Sequence, residues 1–275
     1  MTSPKSTISL LYPDWPAPTC IHTAITKRGG GFSLEPYCSL NLGDHVGDDP
    51  KHVLANRALL NKLLPNEPIW LKQVHGVCVS TPKSRLDEAD AIVTNKPNEV
   101  LAIMTADCLP VLFTNRSGSV VGAAHAGWRG LCNGVLENTV KQMLALSESD
   151  AATDILAWLG PAIGPLAYEV GDDVRQAFVA TRADAERHFH PIKGHTGKWW
   201  CDLPRLAHDR LHSLGVTQIG GNDGSEAWCT HTRADLYFSH RRDGRSGRVP
   251  GVPAHGRDGR RRDGAGPGRH GQPGL

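Results

Sequence analysis

The chain has 275 residues, 39% hydrophobic and 21% charged, an ordinary globular composition with enough length to bury a core without disulfides. No stretch approaches the roughly 18 apolar residues of a membrane span, and the apolar run from Ile8 to Leu11 ends at Pro13-Asp14, too short for a secretory signal core. The net charge of +2 belongs to the end of the chain: residues 249–275 hold five Arg and two Asp, whereas the rest holds 25 basic and 26 acidic groups, a balance that excludes an electrostatic nucleic-acid partner. The expectation is a cytoplasmic protein with no membrane and no nucleic acid as partner. Seven scattered cysteines without a C-x-x-C pair fit reduced thiols rather than a disulfide or zinc-ribbon framework.

In chain order, Thr19 to Thr26 reads as a strand. Lys51 to Leu64 reads as a helix, with Asp49-Pro50 as its start and Pro65 as its stop. Ile69 to Val74 and Val77 to Ser80 read as strands broken at Gly76. Val100 to Met104 and Val111 to Thr114 flank a polar knot, Thr105-Ala106-Asp107-Cys108, and Val120 to Ala124 is a further strand. Gly134 to Leu146, Asp172 to Thr181 and Leu203 to Leu214 carry helical spacing, the last with Asp202 as N-cap and Gly215 as stop. Ile155 to Leu159 is a strand ending at Gly160-Pro161. Strands and helices mix without strict βαβ alternation, which predicts an α+β fold. The last 27 residues contain eight Gly and four Pro, a composition with little to bury, so residues 249–275 are expected to be a disordered tail behind a single domain of residues 1–248.

Three segments share one pattern: an apolar strand that stops at a potential metal ligand beside small or turn-forming residues. They are Gln73-Val74-His75-Gly76, Ala106-Asp107-Cys108-Leu109-Pro110 and Ala124-His125-Ala126-Gly127-Trp128. Two imidazoles and a thiolate form a three-ligand set that leaves a fourth position open on zinc. The spacing alone also fits an ordinary packed cysteine and two hydrogen-bonded histidines, because buried structural Cys are common.

Seven blocks together resemble the YfiH/laccase-domain family: Thr26 to Ser33, Ser39 to Asp49, Gln73 to Gly76, Ala106 to Pro110, His125 to Gly130, Gly160 to Gly164 and Ser239 to Gly244. Members have been called multicopper polyphenol oxidases and are now regarded as zinc-dependent purine nucleoside phosphorylases with adenosine deaminase activity. The resemblance implies a helix–sheet–sheet–helix layering in one domain, and zinc on His75, Cys108 and His125. Purine nucleoside and inorganic phosphate are the implied partners, with a monomer or weak oligomer as the expected state. Arg28, Asn41 and Arg241 are the expected phosphate and substrate residues, since phosphate is best held by planar guanidinium and N–H donors. Asp107 is either a general acid for the leaving purine or a brace for a strand end. His45 and His240 are weaker supporting candidates. The resemblance breaks after Ser246-Gly247-Arg248, where relatives continue into a final apolar strand and this chain turns to Gly, Arg and Pro; that strand is expected to be missing.

Two other functions stay open at this stage. A multicopper oxidase needs paired His-x-His and His-Cys-His segments; the chain has no His-Cys-His, and its one His-x-His, His188-Phe189-His190, sits in a polar, helix-like region, so copper is disfavoured. A cysteine hydrolase acting on peptidoglycan precursors would use Cys108 as nucleophile and His125 as base, in competition with zinc for the thiolate.

Overall fold

Ala24 and Ile25 are neighbours in one strand yet belong to different cores, and that alternation sets the architecture. The computed structural model describes residues 7–147 and 151–256. Strand Ile21–Thr26 lies in a six-stranded sheet with Leu10–Leu11, Val249–His255, Val100–Leu101, Ile103–Thr105 and Pro68–Ile69. A second six-stranded sheet runs in the order Gln218–Gly221, Ile155–Leu159, Leu109–Asn115, Val121–Ala126, Ala91–Thr94 and Val79–Ser80. Ile25, Leu101 and Ile103 of the first sheet pack against Ile92, Leu112, Val121 and Trp158 of the second, so the two sheets lie face to face.

Each sheet buries its outer face under helices. Leu109, Val111 and Phe113 alternate with Leu112 and point to the far side of the second sheet, where helices Val135–Leu146, Asp172–Thr181 and Leu203–Ser213 cover them through Val140, Met143, Phe178, Leu206 and Leu211. The central strands are buried on both faces, which explains their near-continuous apolar runs. On the outside of the first sheet, Leu40 and Leu42 pack on Leu60 of helix Pro50–Asn61. The resulting helix–sheet–sheet–helix α+β domain is the one the sequence resemblance implied. Its helix ends obey local chemistry: the Asp49 carboxylate accepts the Lys51 N–H at 2.8 Å ahead of Pro50, and Asp202 accepts the Arg205 N–H at 3.0 Å.

The expected tail is where the sequence reading fails. Val249–His255 is a strand in the middle of the first sheet, paired with Ile21–Thr26 on one side and with Ile103–Thr105 and Val100 on the other. Val252 and Ala254 are 2% and 3% exposed beside Ala24 and Val100, so burial and ladder pairing outweigh two prolines and a glycine. The final strand is therefore present, and the domain extends past residue 248; residues 257–275 of the expected tail lie outside the described residues. The helix-like reading of the His188-Phe189-His190 region holds for the 3-10 helix Ala183–His188, whereas Phe189–Pro191 is a strand of a small sheet with Lys198–Cys201 and Glu169–Gly171. Among the described residues no helix is long and apolar enough to cross a membrane.

Candidate metal centre

The three strand-end segments meet. His75, Cys108 and His125 place one donor atom each within 4.8 Å of one another, with Cys108 Sγ 3.6 Å from His75 Nε2. Tetrahedral zinc, with bonds of about 2.0–2.3 Å, separates neighbouring donors by roughly 3.5 Å; the Cys108–His75 pair has that spacing. His125 comes from the end of Val121–Ala126, and Cys108 stands one residue before the strand Leu109–Asn115 that pairs with it. His75 sits in a tight turn at φ 61°, outside any strand. Gly127 permits the close approach, since a Cβ there would lie 2.7 Å from the His75 ring and 3.0 Å from Cys108 Sγ.

Asp90 organises the cluster, and the sequence reading did not find it. Wholly buried, its carboxylate accepts the backbone N–H groups of Val74, His75 and Gly76 at 3.2, 2.9 and 2.6 Å, fixing the turn that carries His75. The same carboxylate meets His125 Nδ1 at 2.7 Å, which leaves the other ring nitrogen, Nε2, for the cluster. A buried carboxylate holding the far nitrogen of a histidine is the support a metal-binding imidazole needs. The signal available in sequence was Asp90 interrupting an otherwise apolar run ahead of Ile92-Val93.

The electrostatics run the same way. Burial works against charge on Cys108, but His125 and His75 hold its thiol well below the usual range. Burial likewise opposes charge on His125, yet Cys108 and Asp90 raise its pKa. Burial would lift the Asp90 carboxyl, and His125 with the turn amides brings it down. A thiolate and two histidines, one of them braced by a carboxylate, fit a borderline-soft divalent metal.

The cluster opens into a cleft of about 410 Å³, a volume suited to a small organic ligand. His45, Asp107, Trp128, Tyr168, His240, Arg241 and Arg248 are among its lining. Asp107 lies in the left-handed region at φ 87°, not in extended backbone. Its two oxygens accept the Thr230 hydroxyl at 2.7 Å and the Arg241 N–H at 2.6 Å, the geometry of a brace between two segments. Arg241 reaches the cleft, with its guanidinium over the Tyr168 ring at 5.3 Å and one N–H on the Glu169 carbonyl at 2.8 Å.

Arg28 and Asn41, expected as phosphate and substrate residues, are not among the residues that line the cleft. The Arg28 guanidinium donates to the carbonyls of Cys38 and Ala234, and Asn41 is fully buried among Gly43, Asp48 and the backbone of Arg248. Asn41 holds the backbone of Arg248. Arg248, part of the Ser246-Gly247-Arg248 resemblance, does line the cleft.

A family model described as multi-copper polyphenol oxidoreductase laccase matches residues 22–253. A purine nucleoside phosphorylase of Haemophilus influenzae is 49% identical over 245 residues, covering 87% of this chain and 96% of that protein. The Escherichia coli protein named purine nucleoside phosphorylase YfiH shows the same identity and coverage. Among solved structures, a Neisseria meningitidis protein superposes with a TM-score of 0.82 at 42% identity, over 90% of this chain and 99% of that one.

Proposed function

The chain belongs to the multi-copper polyphenol oxidoreductase laccase family, and from that membership, its phosphorylase-named relatives and the cleft geometry we propose that it is a zinc-dependent purine nucleoside phosphorylase. The reaction would join inorganic phosphate to C1′ of an adenosine- or inosine-type nucleoside while the bond from C1′ to the purine nitrogen breaks. The products are ribose 1-phosphate and free base, which takes up a proton. Adenosine deamination at the same centre is part of the proposal.

The observation that carries the reading is the His75–Cys108–His125 cluster at the base of a cleft that also holds arginine. When bound, zinc would supply Lewis acidity and a bound water of lowered pKa. His75, Cys108 and His125 would hold it. Asp90 fixes two of these three residues from behind, and Gly127 leaves room for the metal's neighbours. Arg241 offers a planar cation for phosphate oxygens, held in place by Tyr168 and the Glu169 carbonyl. Trp128 and Tyr168 supply apolar faces for a purine ring.

The donor count speaks against oxidase chemistry. A multicopper oxidase assembles four copper ions, and among the described residues there is one cluster of three or more donor side chains. A second reading does have an observation in its favour: Cys108, His125 and Asp90 form a Cys–His–Asp array with a lowered thiol pKa, the pattern of a cysteine hydrolase. Zinc on Cys108 would silence that nucleophile, so metal content separates the two. Incubating purified protein with adenosine or inosine, with and without phosphate, tests the proposal directly. Ribose 1-phosphate that forms only with phosphate supports it; release of neither base nor ribose 1-phosphate refutes it.

A further inference from the structure

Arg248 is a half-buried guanidinium in the cleft with no carboxylate in ion-pair range among the described residues. Its Nη1 is anchored on Ser246 O at 3.1 Å, Ser246 Oγ at 3.3 Å and Gly247 O at 3.1 Å. Those bonds use one nitrogen. Nε and Nη2 make no hydrogen bond among the described residues, and neither is sealed from solvent. Burial disfavours the charge, and Cys108 and Asp107 offset that only in part.

The acidic lining answers this charge only in part. Asp107 is the one carboxylate on the cleft wall, and both its oxygens are engaged by Thr230 and the Arg241 amide. A partly desolvated cation with free, coplanar donors, no carboxylate in ion-pair range and only partial compensation from Cys108 and Asp107 is suited to an anion. Its carrier is rigid: Arg248 directly precedes the central strand Val249–His255, its N–H is held by Asn41 Oδ1 at 2.9 Å, and its stem packs against Gly43. That strand pairs Val249 with Thr105, three residues from Cys108. The sheet thus registers the cation beside the metal cluster.

The geometry points to Arg248 as the principal binding residue for inorganic phosphate, presenting Nε and Nη2 as a fork to two phosphate oxygens next to the His75–Cys108–His125 cluster. This deepens the phosphorylase reading and rests on it for the identity of the anion. Arg241, exposed and already bonded to Glu169, is left as the secondary contact.

The test combines calorimetric titration of inorganic phosphate with steady-state kinetics, on metal-loaded wild type, Arg248→Met and Arg248→Lys. The expected result is a phosphate Kd and KM raised roughly ten- to hundredfold in Arg248→Met, with nucleoside KM and metal content unchanged. Arg248→Lys keeps charge but not the fork, and should fall between the two. Unchanged phosphate affinity in either folded variant overturns the assignment, as does a wild type that binds no phosphate. Equal rises in phosphate and nucleoside KM overturn it too, since they indicate a role in holding the cleft together. Phosphate binding that depends on Arg248 without any ribose 1-phosphate would sustain the inference and refute the phosphorylase reading. If Arg248→Met does not fold, the Lys variant decides: a phosphate Kd within twofold of wild type refutes the assignment.

Discussion

Asp90 shows how much one side chain can organise. It accepts three turn amides and one imidazole nitrogen, so it aligns His75 through the backbone and His125 through the ring. Asp90→Asn keeps the size and removes the charge and one acceptor. Outer partners of this kind typically change metal affinity by about 10–100-fold. We predict a loss of that order in chelator competition, measured at a temperature where circular dichroism shows the variant folded; an unchanged affinity would mean that the turn and the ring hold their places unaided. At this scale the sequence exposed His75, Cys108 and His125 because each ends an apolar run beside small residues. Asp90 and Arg248 stayed hidden because their importance comes from contacts across 35 and 207 positions, to His125 and Asn41. Arg28 has contacts of the same kind, its guanidinium donating to the carbonyls of Cys38 and Ala234, which its glycine-rich surroundings do not display.

Among elements, the helices were the most readable. Asp49-Pro50 and Asp202 act as start signals through side-chain acceptance of backbone N–H groups, which is local chemistry that sequence displays. Strand Val249–His255 was unreadable because its place in the sheet is fixed by partners distant in sequence on both sides, while its own residues read as part of a disordered tail. Strand Ala91–Thr94 escaped too, being four residues long between polar neighbours. The glycine that disguised the final strand sits where space is tight. A Cβ on Gly251 would lie 2.8 Å from Ile25 Cδ1 and 3.2 Å from Leu112 Cδ2, inside the contact between the two sheets. Gly251→Val should therefore destabilise the fold by about 1–3 kcal/mol through overpacking. Urea unfolding would measure it, and a midpoint equal to wild type would show that the sheets part to accommodate the side chain.

Across the whole molecule, stability and site draw on different charge networks. On the helical side of the second sheet, Asp209 of helix Leu203–Ser213 bonds His188 Nε2 at 2.6 Å and pairs with Arg187, tying that helix to the preceding segment. Burial would raise the Asp209 carboxyl, but His188 and Arg187 outweigh it and bring it from 3.8 to about 2. A depressed carboxyl stabilises the fold above its unfolded value and loses that contribution as pH falls through the folded one. The window is therefore roughly pH 4 down to 2. With solvent screening the contribution is about 1 kcal/mol. The stability gap between wild type and Asp209→Asn should be near that value at pH 7 and close by pH 2; a gap independent of pH would show that the hydrogen bonds matter and the charge does not.

The cleft depends on all layers at once: the second sheet presents Cys108 and His125, Asp90 holds the turn of His75, and the last strand of the first sheet delivers Arg248. Elemental analysis of wild type and Cys108→Ala, alongside ribose 1-phosphate assays on both, tests this account most directly. It predicts one zinc per chain in the active wild type, and neither zinc nor ribose 1-phosphate in folded Cys108→Ala. Wild-type protein stripped of metal that still converts nucleoside and phosphate to ribose 1-phosphate would contradict it.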